Sequence, residues 1–209
     1  MRAEIQKGRL VPGQRLVETD MMAHLGVSRG HVREVFKRLR SEGLIQIERN
    51  RGASVRKISR TEVMAATEVL EAISLLIVHR VARQVDDPAI ASDLKASLNV
   101  ARRFRRESSR IPKVHDYMDE NARFWGALAA AAGNPILSDI RERLQALLFR
   151  FAMEDLTVSN NREKWLAWHE DIIAALLQGK RVQALRCARK SMHNVWDAIL
   201  SLPDGAFGN

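Results

Sequence analysis

The sequence predicts a mainly α-helical protein in two parts: residues 1–58, in which two short helices precede a strand hairpin, and residues 59–209, an all-helical bundle of about six helices. Three observations carry this. Apolar residues recur at helical spacing through most of the chain, and alternate only between Ile45 and Ile58. Charge is segregated: residues 1–59 hold thirteen Lys or Arg against six acids, a net of +7, whereas the remainder is only +2. At 209 residues and 46% hydrophobic, the chain is long enough and apolar enough for a real core.

The same arithmetic excludes some classes. The longest uncharged stretch, Phe124 to Ser138, is fifteen residues and is broken by Gly133-Asn134-Pro135, too short to cross roughly 30 Å of hydrocarbon. Met1-Arg2 opens no apolar signal core, and the single cysteine, Cys187, has no internal partner, so a cytoplasmic protein is expected. The basic first quarter points to a polyanionic partner.

Val11-Pro12-Gly13 is a turn signal, and Val17 to Leu25 follows as a short helix. Gly26 supplies the left-handed residue that ends it, and Ser28 caps a second helix from Arg29 to about Glu42. In that helix Val32, Val35, Phe36 and Leu39 make one apolar stripe, opposite Arg29, His31, Arg33, Lys37 and Arg40. Two helices joined by a tight turn, the second basic at its start, describe a helix-turn-helix. Ile45 and Ile47 then alternate with polar residues and Ala53 to Ile58 returns. Between them Arg49-Asn50-Arg51-Gly52 suits a hairpin tip facing phosphate or minor groove. A basic hairpin behind a helix-turn-helix is a winged helix. A solvated helix face and a soluble Arg-rich turn would each explain one feature alone; their conjunction favours double-stranded DNA. The expected contacts are Ser28, Arg29, Gly30, His31, Arg33 and Lys37 on the helix and Arg49, Asn50, Arg51 and Gly52 on the wing.

The run Pro12-Gly13-Gln14-Arg15-Leu16-Val17-Glu18, with Leu25-Gly26-Val27-Ser28-Arg29, Val32-Arg33-Glu34, Leu39, Glu42-Gly43-Leu44 and Asn50-Arg51-Gly52, resembles the winged-helix domain of GntR-type transcriptional regulators. Gly30-His31 stands where that family usually has Thr-Pro, and Thr19 where a base is frequent, so an operator sequence does not transfer.

Beyond the wing, Ser59 with Glu62 forms a capping box that opens a helix carrying Val63, Leu70, Ile73 and Ile77. Asp87-Pro88 opens a second, through Ile90, Leu94 and Leu98 to the basic end Arg102 to Arg106. A third runs from about Pro112 to Ala132. A fourth places Leu137, Ile140, Leu144, Leu147 and Phe151 at heptad-like spacing. Trp165 to Leu177 and, after Gly179-Lys180, Val182 to Ile199 complete six. With Leu70-Glu71, Phe124, Leu128, Gly133-Asn134-Pro135, His169, Gly179 and Ala184, this part resembles the FCD effector-binding and dimerising domain of the FadR subgroup. The resemblance implies a homodimer on a two-fold operator, a regulator of repressor type, and a small-metabolite effector.

In the metal-binding FCD branch an Asp and a His one turn apart, with two further His, hold a divalent ion. Here the matching positions are Asn121, Trp125, His169 and Ser191; His193 lies two residues on, about 200° round the helix. Such a set predicts no metal and no cofactor, unless a slipped register lets His193 join His169. Thr67 replaces an arginine frequent before Leu-Glu, so the pocket is expected to have lost cationic and metal character together. Either a less acidic effector is gripped by groups such as Asn121, Trp125, Trp168 and His169, or no effector remains and each tryptophan is ordinary core. His24, His79 and His115 have no visible partners.

Two other functions compete. A constitutive architectural DNA-binding protein would explain the degraded effector site. A helical metal-dependent enzyme would need His169 with Glu170, or His115 with Asp116, as an acid–base pair; but adjacent helical residues do not face each other, and no nucleophile accompanies them.

Overall fold

A computed structural model describes residues 1–6, 9–48, 52–107, 114–155 and 159–208. It divides into two compact units, Met1–Val63 with Pro203–Asn209, and Met64–Leu202.

In the first unit α1 (Arg2–Gln6), β1 (Arg15–Leu16), α2 (Glu18–Leu25), α3 (Arg29–Ser41), β2 (Ile45–Glu48) and β3 (Gly52–Val55) follow in order. Gly26 ends α2 at φ 65°, and its N–H reaches the Met22 carbonyl, the left-handed stop a Cβ would oppose. Ser28 is extended and its Oγ accepts from His31 N, so α3 starts where the cap rule places it. Val32, Phe36 and Leu39 are buried and pack with Ile5, Leu16, Ile45 and Val55 into one core. Val35 only borders that core, and Ile47 is exposed, because β2 leaves the helices after Ile45. The sheet order is β1-β3-β2, all antiparallel, with Ile45 opposite Val55 and Leu16 opposite Ala53. Two-residue β1 carries no periodicity and was not expected from sequence.

The C-terminal residues also belong here. After a single 3-10 turn, Asp204–Ala206, the Gly208 N–H donates to the Ile58 carbonyl at 2.9 Å and bridges Ser59 in parallel. Lys57 Nζ donates to the Gly205 carbonyl at 2.8 Å, Arg60 pairs with Asp204 at 2.9 Å, and the Arg60 guanidinium lies 4.2 Å from the centre of the buried Phe207 ring. A Cβ at Gly208 would stand 2.8 Å from the Lys57 carbonyl oxygen, so only glycine allows this approach.

The bundle consists of α4 (Arg60–Ala82), α5 (Pro88–Glu107), α6 (Val114–Ala131), α7 (Pro135–Asp155), α8 (Ser159–Leu177) and α9 (Arg181–Leu200). Both halves of the capping box form at the start of α4: Ser59 N donates to Glu62 Oε2 at 3.0 Å and Glu62 N to Ser59 Oγ at 3.2 Å. Asp87 Oδ1 likewise accepts from Ala89 N ahead of α5. Ile77, Val81, Leu94, Phe124, Leu128, Ile172, Ile173 and Ala188 meet in the core, each large side chain contributing about 1.5–3 kcal/mol.

One helix face differs from the sequence expectation. Of the heptad expected in α7, Leu137 is buried and Leu144 and Leu147 are half-buried, but Ile140 is exposed, and among the described side chains Arg141 and Leu148 are buried as well. The helix is turned so that an arginine occupies its inner stripe. The side chains of Phe151 and His115, and Pro112, lie outside the described residues. His24 does have a partner, Glu4 at 2.7 Å, and His79 one in Arg181 Nη2 at 2.7 Å.

Candidate nucleic-acid interface and effector cavity

The first turn of α3 presents Arg29, Gly30 and His31 to solvent, and Arg33 and Lys37 continue the exposed side. Arg33 Nε donates to Glu18 Oε1 at 2.8 Å, and Arg29 Nε stands 3.7 Å from Glu18 Oε2. The Arg33 hydrogen bond, followed by the charges of Arg33 and Arg29, holds the Glu18 carboxyl below its ordinary range. Lys37 pairs with Glu34 at 2.7 Å. A groove beside α3 is lined by Arg15, Glu18, Arg33, Lys37, Ile47 and Gly52. Arg15 was not singled out as a site residue, although it lies in the run Pro12 to Glu18 that carries the resemblance. Gly52 opens β3 at φ 82°; Arg49, Asn50 and Arg51 lie outside the described residues.

In the bundle, Asn121, Trp125, His169 and Ser191 line one cavity, which Leu70, Arg141, Leu148, Trp168, Met192 and Trp196 help to close. His193 does not line it. Its ring is half exposed and its Nε2 is 3.2 Å from Glu71 Oε2, so the register that would bring it to His169 is not adopted.

His169 is buried, stacked flat on Phe124 at 3.9 Å, with Nε2 3.3 Å from Asn121 Oδ1 and no partner for Nδ1 among the described residues. Burial first, then the charges of Arg123 and Arg141, push its pKa down to about 3, so the imidazole is neutral at any ordinary pH. Arg123 is itself paired with Glu120 at 2.6 Å.

Arg141 reverses an expectation. The sequence predicts a cavity without cationic character, yet this guanidinium is 4% exposed, donating from Nε to Ser74 Oγ at 3.2 Å and from Nη1 to Gln145 Oε1, with its carbon 4.0 Å from the Trp125 ring centre. Burial disfavours its charge, but an arginine starts so far above neutrality that it remains a cation.

The divalent ion implied by the metal-binding branch does not fit these residues. Asn121 is a neutral amide, Trp125 offers no lone pair and is spent on Arg141, and Ser191 Oγ donates to the Ala188 carbonyl at 2.8 Å. His169 remains as one imidazole beside a fixed cation, where a second positive charge is repelled.

A Ser-capped basic helix with a three-stranded sheet behind it, and a separate helical unit holding a largely apolar cavity with a few polar groups in its wall, define a DNA-binding transcriptional regulator with a C-terminal effector-type domain. Residues 1–55 match the family described as bacterial regulatory proteins, gntR family, and residues 62–194 match the FCD domain. The chain belongs to the gntR family of regulators that carry an FCD domain.

Among its relatives, the HTH-type transcriptional repressor RspR of Escherichia coli K12 is 28% identical over 176 residues, 84% of this chain and 75% of that one. The fatty acid metabolism regulator protein of Edwardsiella ictaluri is 26% identical over 94% of this chain and 87% of its own length. Of solved structures, a GntR regulator from Rhodococcus sp. RHA1 superposes with TM-score 0.73 at 22% identity, covering 97% of this chain and 94% of that chain. E. coli McbR/YncC does so with TM-score 0.73 at 17% identity, over 92% and 90%. At these identities the superpositions speak for the fold. No described helix is long and apolar enough to cross a membrane.

Proposed function

We propose that this regulator is a repressor that binds a two-fold operator as a homodimer, reads bases with the start of α3, and releases or retains the operator according to a small metabolite in the bundle cavity. The observation that carries the DNA contact is the Ser28-capped start of α3 with Arg29, His31 and Arg33 exposed on it. Those residues, with Ser28, Gly30 and Lys37, act in the major groove; Arg49, Asn50, Arg51 and Gly52 act on backbone or minor groove. Arg15 adds a phosphate contact from the groove beside α3.

Dimerisation is supported by the exposed apolar side chains Leu76 on α4 and Val182 on α9, which line one surface groove with Leu75 and Leu185, since monomers seldom leave a contiguous apolar patch in water. The effector reading is supported by the cavity that Asn121, Trp125, His169 and Ser191 line. Relatives are named as regulators, and we assign no catalytic role.

Mapping the genomic sites bound by the protein tests the reading: palindromic sites with half-sites one helical turn apart, or a multiple of one, are expected. Binding spread evenly, with affinity indifferent to metabolites of the adjacent genes, would favour an architectural protein instead.

A further inference from the structure

Residues 203–208 are held where they are by partners nearly 150 positions earlier in the chain. Phe207 is buried with the Arg60 guanidinium 4.2 Å from its ring centre, Arg60 also pairs with Asp204, and Lys57 Nζ donates to the Gly205 carbonyl. The Gly208 N–H donates to the Ile58 carbonyl, an approach that a Cβ would block. Lys57, Ile58 and Arg60 all lie between Val55, where β3 ends, and the first turn of α4, which is the linker that leaves the sheet. None of them is among the residues assigned to DNA.

Neither side of this crossing has slack. On leaving α9 the Ser201 N–H donates to the Asp197 carbonyl and the Leu202 N–H to that of Ile199; Pro203 fixes one torsion, and Ala206 and Phe207 donate back to Pro203 and Asp204. In the linker the Arg56 N–H donates to the Leu44 carbonyl, Ile58 is buried, and Ser59 is held by Glu62. The chain leaving β3 and the chain leaving α9 therefore meet at one hydrogen-bonded point, and the linker is restrained from two directions. This restraint matters to a two-headed binder. Two winged helices joined by loose linkers must both be ordered before they meet two half-sites, a cost that fixed linkers do not incur. One winged helix on an arbitrary stretch of duplex needs no such register.

We propose that residues 203–208 are a strap that fixes the linker and thereby sets the preference of the protein for its operator over random duplex, without touching DNA. The inference rests on the two-fold operator reading. Phe207 and Gly208 anchor the strap, and the taut run from Ile199 to Pro203 ties the anchor to α9.

The test uses the full-length protein, F207A, and an insertion of about six glycine and serine residues between Leu202 and Pro203, which keeps every anchoring side chain but gives the tie slack. Fluorescence anisotropy is read on a duplex carrying a palindromic site from the genomic map and on a random duplex of the same length, and amide hydrogen exchange is read over residues 56–60. F207A is expected to exchange at least about tenfold faster over 56–60. Both variants are expected to lose about three- to tenfold in affinity for the mapped site, with the random duplex bound as before. Unchanged exchange over 56–60 in F207A, mapped-site affinity untouched by the insertion, or an insertion that weakens the random duplex as much as the mapped site would each overturn it. If F207A weakens both duplexes alike, loss of the ring has damaged the winged helix itself, and the insertion, which removes no side chain, decides.

The same measurements separate the two levels. Palindromic sites bound equally by the parent and the insertion remove the inference and keep the two-fold reading. A genomic map without palindromic sites removes both.

Discussion

Arg33 Nε donates a 2.8 Å hydrogen bond to Glu18 Oε1, so the arginine expected to read a base is held by a carboxylate at the start of the preceding helix. Arg33 is well exposed and Glu18 half-buried, and surface pairs of this kind contribute little to stability, so exchanging the contact for another anion would cost little. The pair holds the Arg33 side chain against α2 and offsets part of the positive charge of the α2–α3 face.

Glu18→Gln removes that negative charge from the face proposed to meet the phosphates. Affinity for non-specific duplex is expected to rise by about two- to fivefold at low salt, with the gain shrinking as salt is raised. Fluorescence anisotropy with a random duplex at two salt concentrations measures this; unchanged or weaker binding would place Glu18 away from the DNA.

Arg29→Ala and Arg33→Ala should separate base reading from backbone contact. Loss of a bidentate guanine contact costs about 1–3 kcal/mol and relaxes preference at one base pair. Arg49→Ala and Arg51→Ala should instead weaken every sequence alike and lower the salt slope by about one each. The major-groove assignment fails if neither α3 variant alters affinity or preference.

His169 makes stability depend on pH in a definite direction. Its folded pKa is about 3, against about 6.5 in the unfolded chain. Between these values the unfolded chain binds a proton that the folded one refuses, so stability is full above about pH 6.5 and falls as pH drops towards 3. Glu4, Glu18, Glu42 and Glu62 are all shifted below 4.5, so their contributions fall below the interval from pH 6.5 to 5 in which the His169 substitution is read. Urea denaturation of His169→Gln across that interval should show a slope smaller by up to about 1.4 kcal/mol per pH unit. An identical slope in the two proteins would mean that His169 is protonated in the fold or is exposed.

Phe207 and Gly208 should stabilise the winged-helix unit despite lying at the other end of the sequence. Phe207→Ala is expected to cost about 1.5–3 kcal/mol, for the loss of a buried ring. Gly208→Ala should be harmful as well, because its Cβ meets the Lys57 carbonyl. Differential scanning calorimetry is the check, and a transition unmoved by both substitutions would detach the tail from that unit.

Much of the fold was legible because it is written in short-range chemistry. Ser28 and Gly26 bracket the turn between α2 and α3, and Ser59 with Glu62 starts α4; each acts within four residues, so backbone hydrogen bonding alone places them. The charge asymmetry and the pattern from Pro12 to Gly52 likewise pointed to a DNA-binding unit before any packing was known.

Other features depended on partners far away in the chain. Strand β1 exists only because β3 offers it hydrogen bonds, and the 203–208 tail only because Ile58 and Lys57 do. Helical periodicity tells how α7 repeats but not which face turns inward, and a one-step rotation exchanged Ile140 for Arg141. A lone arginine in a helix reads as surface until Ser74, sixty-seven residues earlier, and Trp125 are seen around it. His193 shows the converse, a candidate ligand turned outward to Glu71 by the same kind of rotation. Local sequence determined where helices begin and end. Only the tertiary structure decided which charges were buried, since desolvation depends on everything packed around a group and not on its neighbours in sequence.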